Sequence, residues 1–177
     1  MEVILDKVRS EAHMKALEKL YTESFPPAER RAWEAVASPA DAGCPLLRGV
    51  YSADGGRLLG LLSTWDFGDF RYVEHFAVFP ELRGAGAGAK ALAALAAESP
   101  APVVLEVEPP CADNPMASRR IDFYRRNGFV LLDHDYMQPP YSPGLPWLSL
   151  RLMSTKSDTD AAAVERILHR RVYGFIS

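Results

Sequence analysis

Apolar and polar positions along the 177-residue chain change period several times, and each change marks an element. Residues 2–8 alternate and predict a first strand. Met14, Leu17, Leu20 and Tyr21 then recur at helical spacing behind Ser10, a good N-cap, so a core-facing helix follows. Pro26 and Pro27 end it and start a second helix, because proline is tolerated in a first turn. That helix carries Glu29, Arg30, Arg31, Trp33 and Val36. Residues 38–45 read as loop. Two apolar runs, 46–52 and 58–65, are joined by Ala53-Asp54-Gly55-Gly56, which is strong hairpin chemistry.

After a turn at 66–69 comes a strand over 72–79. Strict alternation puts Tyr72, Glu74, Phe76 and Val78 on one face and Val73, His75, Ala77 and Phe79 on the other. A helix of small residues follows, with Leu92 and Leu95 as its larger contacts and Pro100 as its stop. Residues 102–107 form a compact strand, and 117–127 a second crossover helix with Gly128 as its C-terminal stop. Strands at 129–134 and 147–153 flank a proline- and tyrosine-rich loop. A polar linker at 154–158 leads to a helix over 161–173, with Val164, Ile167, Leu168 and Val172 on its apolar side. The order predicts an α/β fold with a mixed central sheet of about seven strands flanked by helices. One domain covers residues 1–153; residues 154–177 add the linker and a C-terminal helix packed on it.

Composition narrows the class without changing this outline. With 48% apolar and 24% charged residues the chain is ordinary globular material. A net charge of -3 gives no electrostatic case for binding nucleic acid. Cys44 and Cys111 are too few for a disulfide framework. No apolar run approaches membrane-spanning length, so no membrane partner is expected. Acidic residues stand where a signal peptide would have a basic region, so a soluble cytoplasmic protein is the expectation. A homodimer stays open.

The chemistry concentrates in residues 72–99, a strand, a glycine loop and a helix. Glycines let a ligand approach the backbone and accept positive φ. The helix that starts there has unpaired N–H groups and a positive dipole end, a ready seat for a phosphate. A pyrophosphate-bearing ligand at Gly84, Gly86 and Gly88 follows. Read from Gly84, the loop satisfies G-x-G-x-x-A, a dinucleotide fingerprint, with Glu106 about twenty residues on. That match is weak, because a dinucleotide domain begins with this unit and here it lies mid-chain.

Read from Arg83, the loop satisfies R-x-x-G-x-G. PELRGAGAG between a strand and a helix resembles the acetyl-CoA loop of the GNAT superfamily of N-acetyltransferases. Phe123-Tyr124-Arg125-Arg126-Asn127-Gly128-Phe129 resembles that family's second signature, and the element order matches from about residue 2 to 153. The resemblance implies that the backbone of Arg83, Gly84, Ala85, Gly86, Ala87 and Gly88 holds the pyrophosphate of acetyl-CoA. It places Phe76, Ala77 and Val78 beside the pantetheine arm, with the thioester in a gap between that strand and the next. Lys90 is a solvated residue within reach of a phosphate. Tyr124 matches the tyrosine whose hydroxyl lies near the sulfur and is assigned as general acid. Glu74 is the leading candidate base, with Glu106 and Glu108 as competitors. His75, on the opposite face, is packing. Many members carry an asparagine about seven residues before the tyrosine; here Asn114 lies ten before it, and stands as the pantetheine contact only if the loop is arranged differently. Cys111 lies near the site without a covalent role.

The implied function is transfer of acetyl from acetyl-CoA, a cosubstrate, to a primary amine of a small molecule or peptide, by direct attack in a ternary complex. No metal is implied. The acceptor side draws on Glu29, Arg30, Trp33, Tyr136 and Tyr141. A non-catalytic acyl-CoA-binding sensor or interaction module is the alternative; the presence of both acid and base candidates favours the enzyme.

Overall fold

The structure is a computed structural model that describes residues 1–39, 43–54 and 56–176. Eight strands form one sheet: β1 Val3–Asp6, β2 Leu46–Ser52, β3 Leu58–Asp66, β4 Arg71–Val78, β5 Val103–Val107, β6 Val130–Leu131, β7 Tyr136–Gln138 and β8 Leu148–Ser154. Their order is β1-β2-β3-β4-β5-β8-β6, with β7 also pairing β8. Among the described residues only β4 and β5 run parallel; every other pair is antiparallel. The helices are α1 Glu11–Ser24, α2 Trp33–Ala37, α3 Ala87–Ala97, α4 Pro115–Arg126 and α5 Ala161–Ile167.

One face of the sheet packs on α3 and α4. Leu62, Val73, Leu105 and Val107 meet Leu92, Leu95, Ile121 and Tyr124 there. The other face is covered in two parts. Leu17, Leu20, Tyr21 and Val36 of α1 and α2 lie over Leu61 and Ala77. Val164, Leu168 and Val172 of the C-terminal segment lie over Trp65, Tyr72, Val104 and Leu152. Burying these side chains contributes roughly 1.5–3 kcal/mol each for the larger aliphatics. Arg71, itself buried, donates to the carbonyls of Leu95 (2.6 Å) and Ser99 (3.3 Å), so the start of β4 caps the end of α3.

Four local departures from the sequence pattern have physical causes. The helix expected from Pro27 is broken. Pro27–Glu29 makes one 3-10 turn, and α2 begins only at Trp33. Between them the buried Tyr21 hydroxyl accepts from the Arg31 N–H (2.9 Å) and donates to its carbonyl (3.0 Å), which competes with helix closure. The tyrosine-rich loop contains the eighth strand, β7, where about seven strands were expected. The terminal helix changes at Leu168 to a π turn that runs to Val172. The expected hairpin turn closes with Gly56 at φ +66° and its N–H on the Ser52 carbonyl, while Gly55 and residues 40–42 of the expected loop lie outside the described residues.

The fourth departure matters most. Ser63 of β3 pairs with His75, but Thr64 pairs with Val73, so Glu74 is an extra residue on β4. Such a bulge breaks strict alternation. Val73, Phe76 and Val78 therefore all pack toward α3 and α4. Glu74 points with His75 to the opposite face, where Trp65 and Arg31 hold it. The expected sharing of a face by Glu74, Phe76 and Val78 is thus corrected. The parallel ladder between β4 and β5 ends at the same point, at Val73 and Leu105. Beyond it β4 stays with β3, and β5 stays with β8, so a fork opens between them.

Gly60 keeps β3 close to β4 at the rim of this fork: a Cβ there would lie 2.2 Å from the Ala77 carbonyl oxygen. The clash is with backbone and cannot be relieved by a rotamer change. Gly60→Ala is expected to destabilise the protein by about 1–3 kcal/mol, read as a lower midpoint in denaturant unfolding.

Candidate active site

The fork is flanked on one side by the glycine loop. Phe79 leads into a short 3-10 turn, Pro80–Leu82, and α3 starts at Ala87. Gly84 and Gly86 take φ of +82° and +84°, a region that L side chains rarely adopt. Both are exposed, with open space where a Cβ would stand. The first turn of α3 contains no acidic residue and has no side-chain cap, so its N–H groups are left for an anion. Gly88 differs: a Cβ there would crowd the Phe123 ring at 3.2 Å, so this glycine allows α3 to pack against α4. Arg83 is exposed and turns its Nε back toward the Val78 carbonyl (3.4 Å). Lys90 pairs with Glu2 at 3.4 Å.

Tyr124 lies in the α3–α4 face between Phe123 and Phe129, with ring centroids 5.3 and 5.6 Å away. Burial pushes its hydroxyl up to about 12, with Arg120 opposing. Among the described residues the hydroxyl has no hydrogen-bond partner. Asn114 is the N-cap of α4, accepting from the Ala117 N–H (3.4 Å) and donating to Glu108 (3.3 Å). Cys111 is exposed beside it.

Two carboxylates stand on the two prongs of the fork, on the face opposite α3 and α4. Glu74 has no exposed side-chain surface, and Arg31, 13% exposed, pairs with its Oε1 at 2.7 Å. The Tyr141 hydroxyl donates to that same oxygen (3.0 Å), and the Trp65 indole donates to Oε2 (3.0 Å). Glu74 is fully engaged. Glu106 differs. Three tyrosine hydroxyls converge on its Oε1: Tyr136 and Tyr173 at 2.7 Å and Tyr72 at 2.9 Å. Its Oε2 has no partner among the described residues. Burial pushes the Glu106 carboxyl up to about 7, although the three hydroxyls pull it down and Glu74 pushes it further up. Glu108, beyond the end of β5, lies 3.9 Å from Arg120 and accepts from the Asn114 amide (3.3 Å).

The remaining acceptor-side candidates divide. Tyr136 and Tyr141 join the carboxylates directly. Arg30 is fixed by the carbonyls of Thr22 (2.7 Å) and Phe25 (2.9 Å). Trp33 packs on Tyr21 and is a core contact. Burial raises the Glu29 carboxyl, Glu108 adds to this, and Arg120 opposes it. His75 donates to the Glu29 carbonyl (2.9 Å) between the rings of Tyr21 and Phe25, and burial lowers its pKa, so it is a neutral packing residue. Sequence reasoning missed Arg31, Trp65, Tyr72 and Tyr173. Tyr72 had a signal, its shared face with Glu74; Tyr173 had none, because 67 residues separate it from Glu106. Among the described residues, no three His, Cys, Asp or Glu side chains gather as metal ligands, and no helix is long and apolar enough to cross a membrane.

The family model described as Acetyltransferase (GNAT) family matches residues 14–129, the stretch that includes the glycine loop, both prongs of the fork and α4. The chain belongs to the GNAT acetyltransferase family. It is similar to a solved structure from Bacteroides thetaiotaomicron assigned to the acetyltransferases of this family, at 36% identity and a TM-score of 0.82, covering 99% of this chain and 100% of that one. Two more distant likenesses show the fold. Arabidopsis thaliana Naa50, in complex with the bisubstrate analogue CoA-Ac-MVNAL, is 20% identical with a TM-score of 0.57, covering 87% and 98%. A chimera of the spermidine N-acetyltransferase SpeG from Vibrio cholerae and hSSAT is 15% identical with a TM-score of 0.59, covering 87% and 95%. None of the curated proteins compared with the chain matches it. The chain is therefore an acyltransferase of this family.

The Arg31–Glu74 pair fixes the break between the 3-10 turn and α2 over the fork. Removing one partner of a buried pair leaves an uncompensated charge. Arg31→Ala is expected to destabilise the protein by about 3–5 kcal/mol, measured by denaturant unfolding, with Arg31→Lys recovering only part of the loss because lysine cannot donate from two positions.

Proposed function

We propose that this GNAT protein moves an acetyl group from acetyl-CoA to a primary amine of a small molecule or peptide, by direct attack in a ternary complex. The observation that carries the chemistry is the Glu106 carboxylate. One of its oxygens is fixed by three hydroxyls and the other is free, at the point where the two half-sheets part.

The loop from Arg83 through Gly84, Ala85, Gly86, Ala87 and Gly88 seats the pyrophosphate of acetyl-CoA, mainly by backbone N–H groups. Its open surface and positive-φ glycines fit that group. Phe76, Ala77 and Val78 present the free edge of β4 to the pantetheine arm, since β5 no longer pairs there. The family's asparagine contact has no counterpart in this arrangement if Asn114 keeps its capping role.

An alkylamine with a pKa near 10.4 is mostly protonated at pH 7, and freeing its lone pair costs roughly 4–5 kcal/mol. A base poised near neutrality meets that cost. Glu106 takes the role first given to Glu74, because both oxygens of Glu74 are occupied and its charge is neutralised by Arg31. The Glu106 Oε2 accepts the amine proton, directly or through a water. The nitrogen lone pair attacks the thioester carbonyl, the C–S bond breaks as the tetrahedral oxyanion collapses, and the departing thiolate takes the Tyr124 phenolic proton. The second proton of the newly acylated nitrogen passes through water to the Tyr124 phenolate, and Glu106 releases its proton to solvent. Tyr124 is suited to donation, because burial keeps its hydroxyl protonated and no other group accepts from it.

Two outcomes test this reading. In Gly86→Glu, a side chain forced into positive φ brings bulk and negative charge to the phosphate seat. Acetyl-CoA binding in calorimetry is expected to fall at least about a hundredfold, the size of a charge placed against a charge-assisted site; unchanged affinity would count against the placement. The second outcome is a pH profile. Glu106 acts deprotonated, and it faces Tyr72 and Glu74 of β4, Tyr136 of β7, Tyr141, and Tyr173 after α5. Removing a donor to the charged form raises its pKa. Tyr173→Phe is therefore expected to move the acidic limb of kcat/KM upward by about one pH unit. A limb that stays in place, or moves down, removes Glu106 from the base role.

A further inference from the structure

Three surfaces of the molecule fall outside the chemistry above: the Glu29–Glu108 pair near Arg120, the Trp147–Phe175–His169 aromatic cluster, and an arginine-lined hollow beside the fork. The hollow carries the most. It is a cavity of about 570 Å³ on the α2 side of the sheet, lined among others by Arg30, Arg31, Tyr141, Arg171 and Tyr173. That volume is in the range of small-molecule sites.

Its walls are the outer sides of the catalytic network. Arg31 and Tyr141 hold Glu74, and Tyr173 holds Glu106. Each carboxylate of the fork is thus one side chain away from the hollow. Its charge is one-sided. Among the described residues, no acidic side chain lines it. Arg31 is neutralised by Glu74, but among the described residues Arg30 and Arg171 have no carboxylate partner. Arg30 is also held in place, its Nη1 fixed by two backbone carbonyls while its Nη2 remains free to donate. Arg171 stands between this hollow and a second of about 390 Å³, lined by Arg166, Arg170 and Phe67 and, among the described residues, again by no acid. In a chain of net charge -3, the first hollow thus carries two guanidinium groups, Arg30 and Arg171, without a carboxylate partner among the described residues. Planar, pre-fixed guanidinium groups favour carboxylate and phosphate oxygens. The same field repels a polyamine.

We propose that the acceptor is a small primary amine that also bears a carboxylate or phosphate, seated with its anionic group against Arg30 and Arg171 and its amine directed past Tyr141 and Tyr173 to the fork. This rests on the transferase reading and names the substrate class of the same site. Arg30 and Arg171 are then specificity-determining residues.

The test is CoA release at saturating acetyl-CoA with matched amines: O-phosphoethanolamine against ethanolamine, aspartate against its diamide, with spermidine and an acidic hexapeptide as further arms. The anionic member of each pair is expected to exceed its neutral partner in kcat/KM by about tenfold or more, as for one charge-assisted hydrogen bond. Phosphate and carboxylate pairs separate the two anions. Arg171→Glu, and independently Arg171→Ala, should lower the anionic-to-neutral ratio by about tenfold, and the KM of the anionic amine should rise with salt. Calorimetry with O-phosphoethanolamine in the presence of CoA reads the same contact without turnover, and both variants should weaken it. Preference for the neutral amines or spermidine, an unchanged ratio in both variants, or a hexapeptide superior to every small anion overturns the proposal and leaves the transferase standing. Bound acetyl-CoA with no CoA release from any amine overturns both.

Discussion

One extra residue in β4 sets the geometry of the site. Where Ser63 faces His75 and Thr64 faces Val73, Glu74 has no partner across the ladder. The Ser63 hydroxyl accepts the His75 N–H (3.1 Å), which holds the bulge in place. Three consequences follow from it. Glu74 and His75 turn to the same side. Phe76 and Val78 join Val73 on the α3–α4 face. The parallel ladder with β5 stops at Val73 and Leu105, and each prong of the fork then keeps its own antiparallel neighbour. A sheet that parts without losing its core contacts leaves a slot whose backbone edges need a partner, the role proposed above for the acyl-pantetheine chain.

The fork places a carboxylate on each of its two prongs, and their surroundings differ. Glu74 has a full ion pair and two further donors, which tie the 28–32 segment over the slot. Among the described residues Glu106 has no cation beside it; burial raises its carboxyl to about 7, against the three tyrosine hydroxyls that pull it down. That shift is what suits Glu106 to the proposed role of proton acceptor. The tyrosines come from β4, from β7 and from beyond the π turn of the last helix. The C-terminal segment is therefore part of the site, and the Val172 carbonyl also accepts from Arg31 (3.0 Å).

What the sequence shows and hides follows from locality. The arginine–glycine loop, the alanine-rich helix and the tyrosine of α4 are local chemistry, legible because each needs particular residues at fixed spacing. The element order is legible for the same reason, since periodicity changes at each boundary. The bulge is not legible, because reading a strand assumes a period of two and a single extra residue inverts every later assignment. Glu74 was placed on the wrong face by that assumption alone. The break at Arg30 and Arg31 depends on a tyrosine ten residues earlier and a glutamate 43 residues later. Tyr173 reaches Glu106 across most of the domain, a tertiary contact without a local signature.

The central claim is that the fork opened by this bulge is where the acyl group reacts. A crystal structure of the protein with acetyl-CoA tests it most directly. The account predicts the pyrophosphate on the backbone N–H groups of residues 84–89 and the thioester between the prongs, with the Tyr124 hydroxyl on the sulfur and Glu106 facing the carbonyl from the acceptor side. A pyrophosphate bound away from the glycine loop, or a thioester outside the gap between β4 and β5, would contradict it.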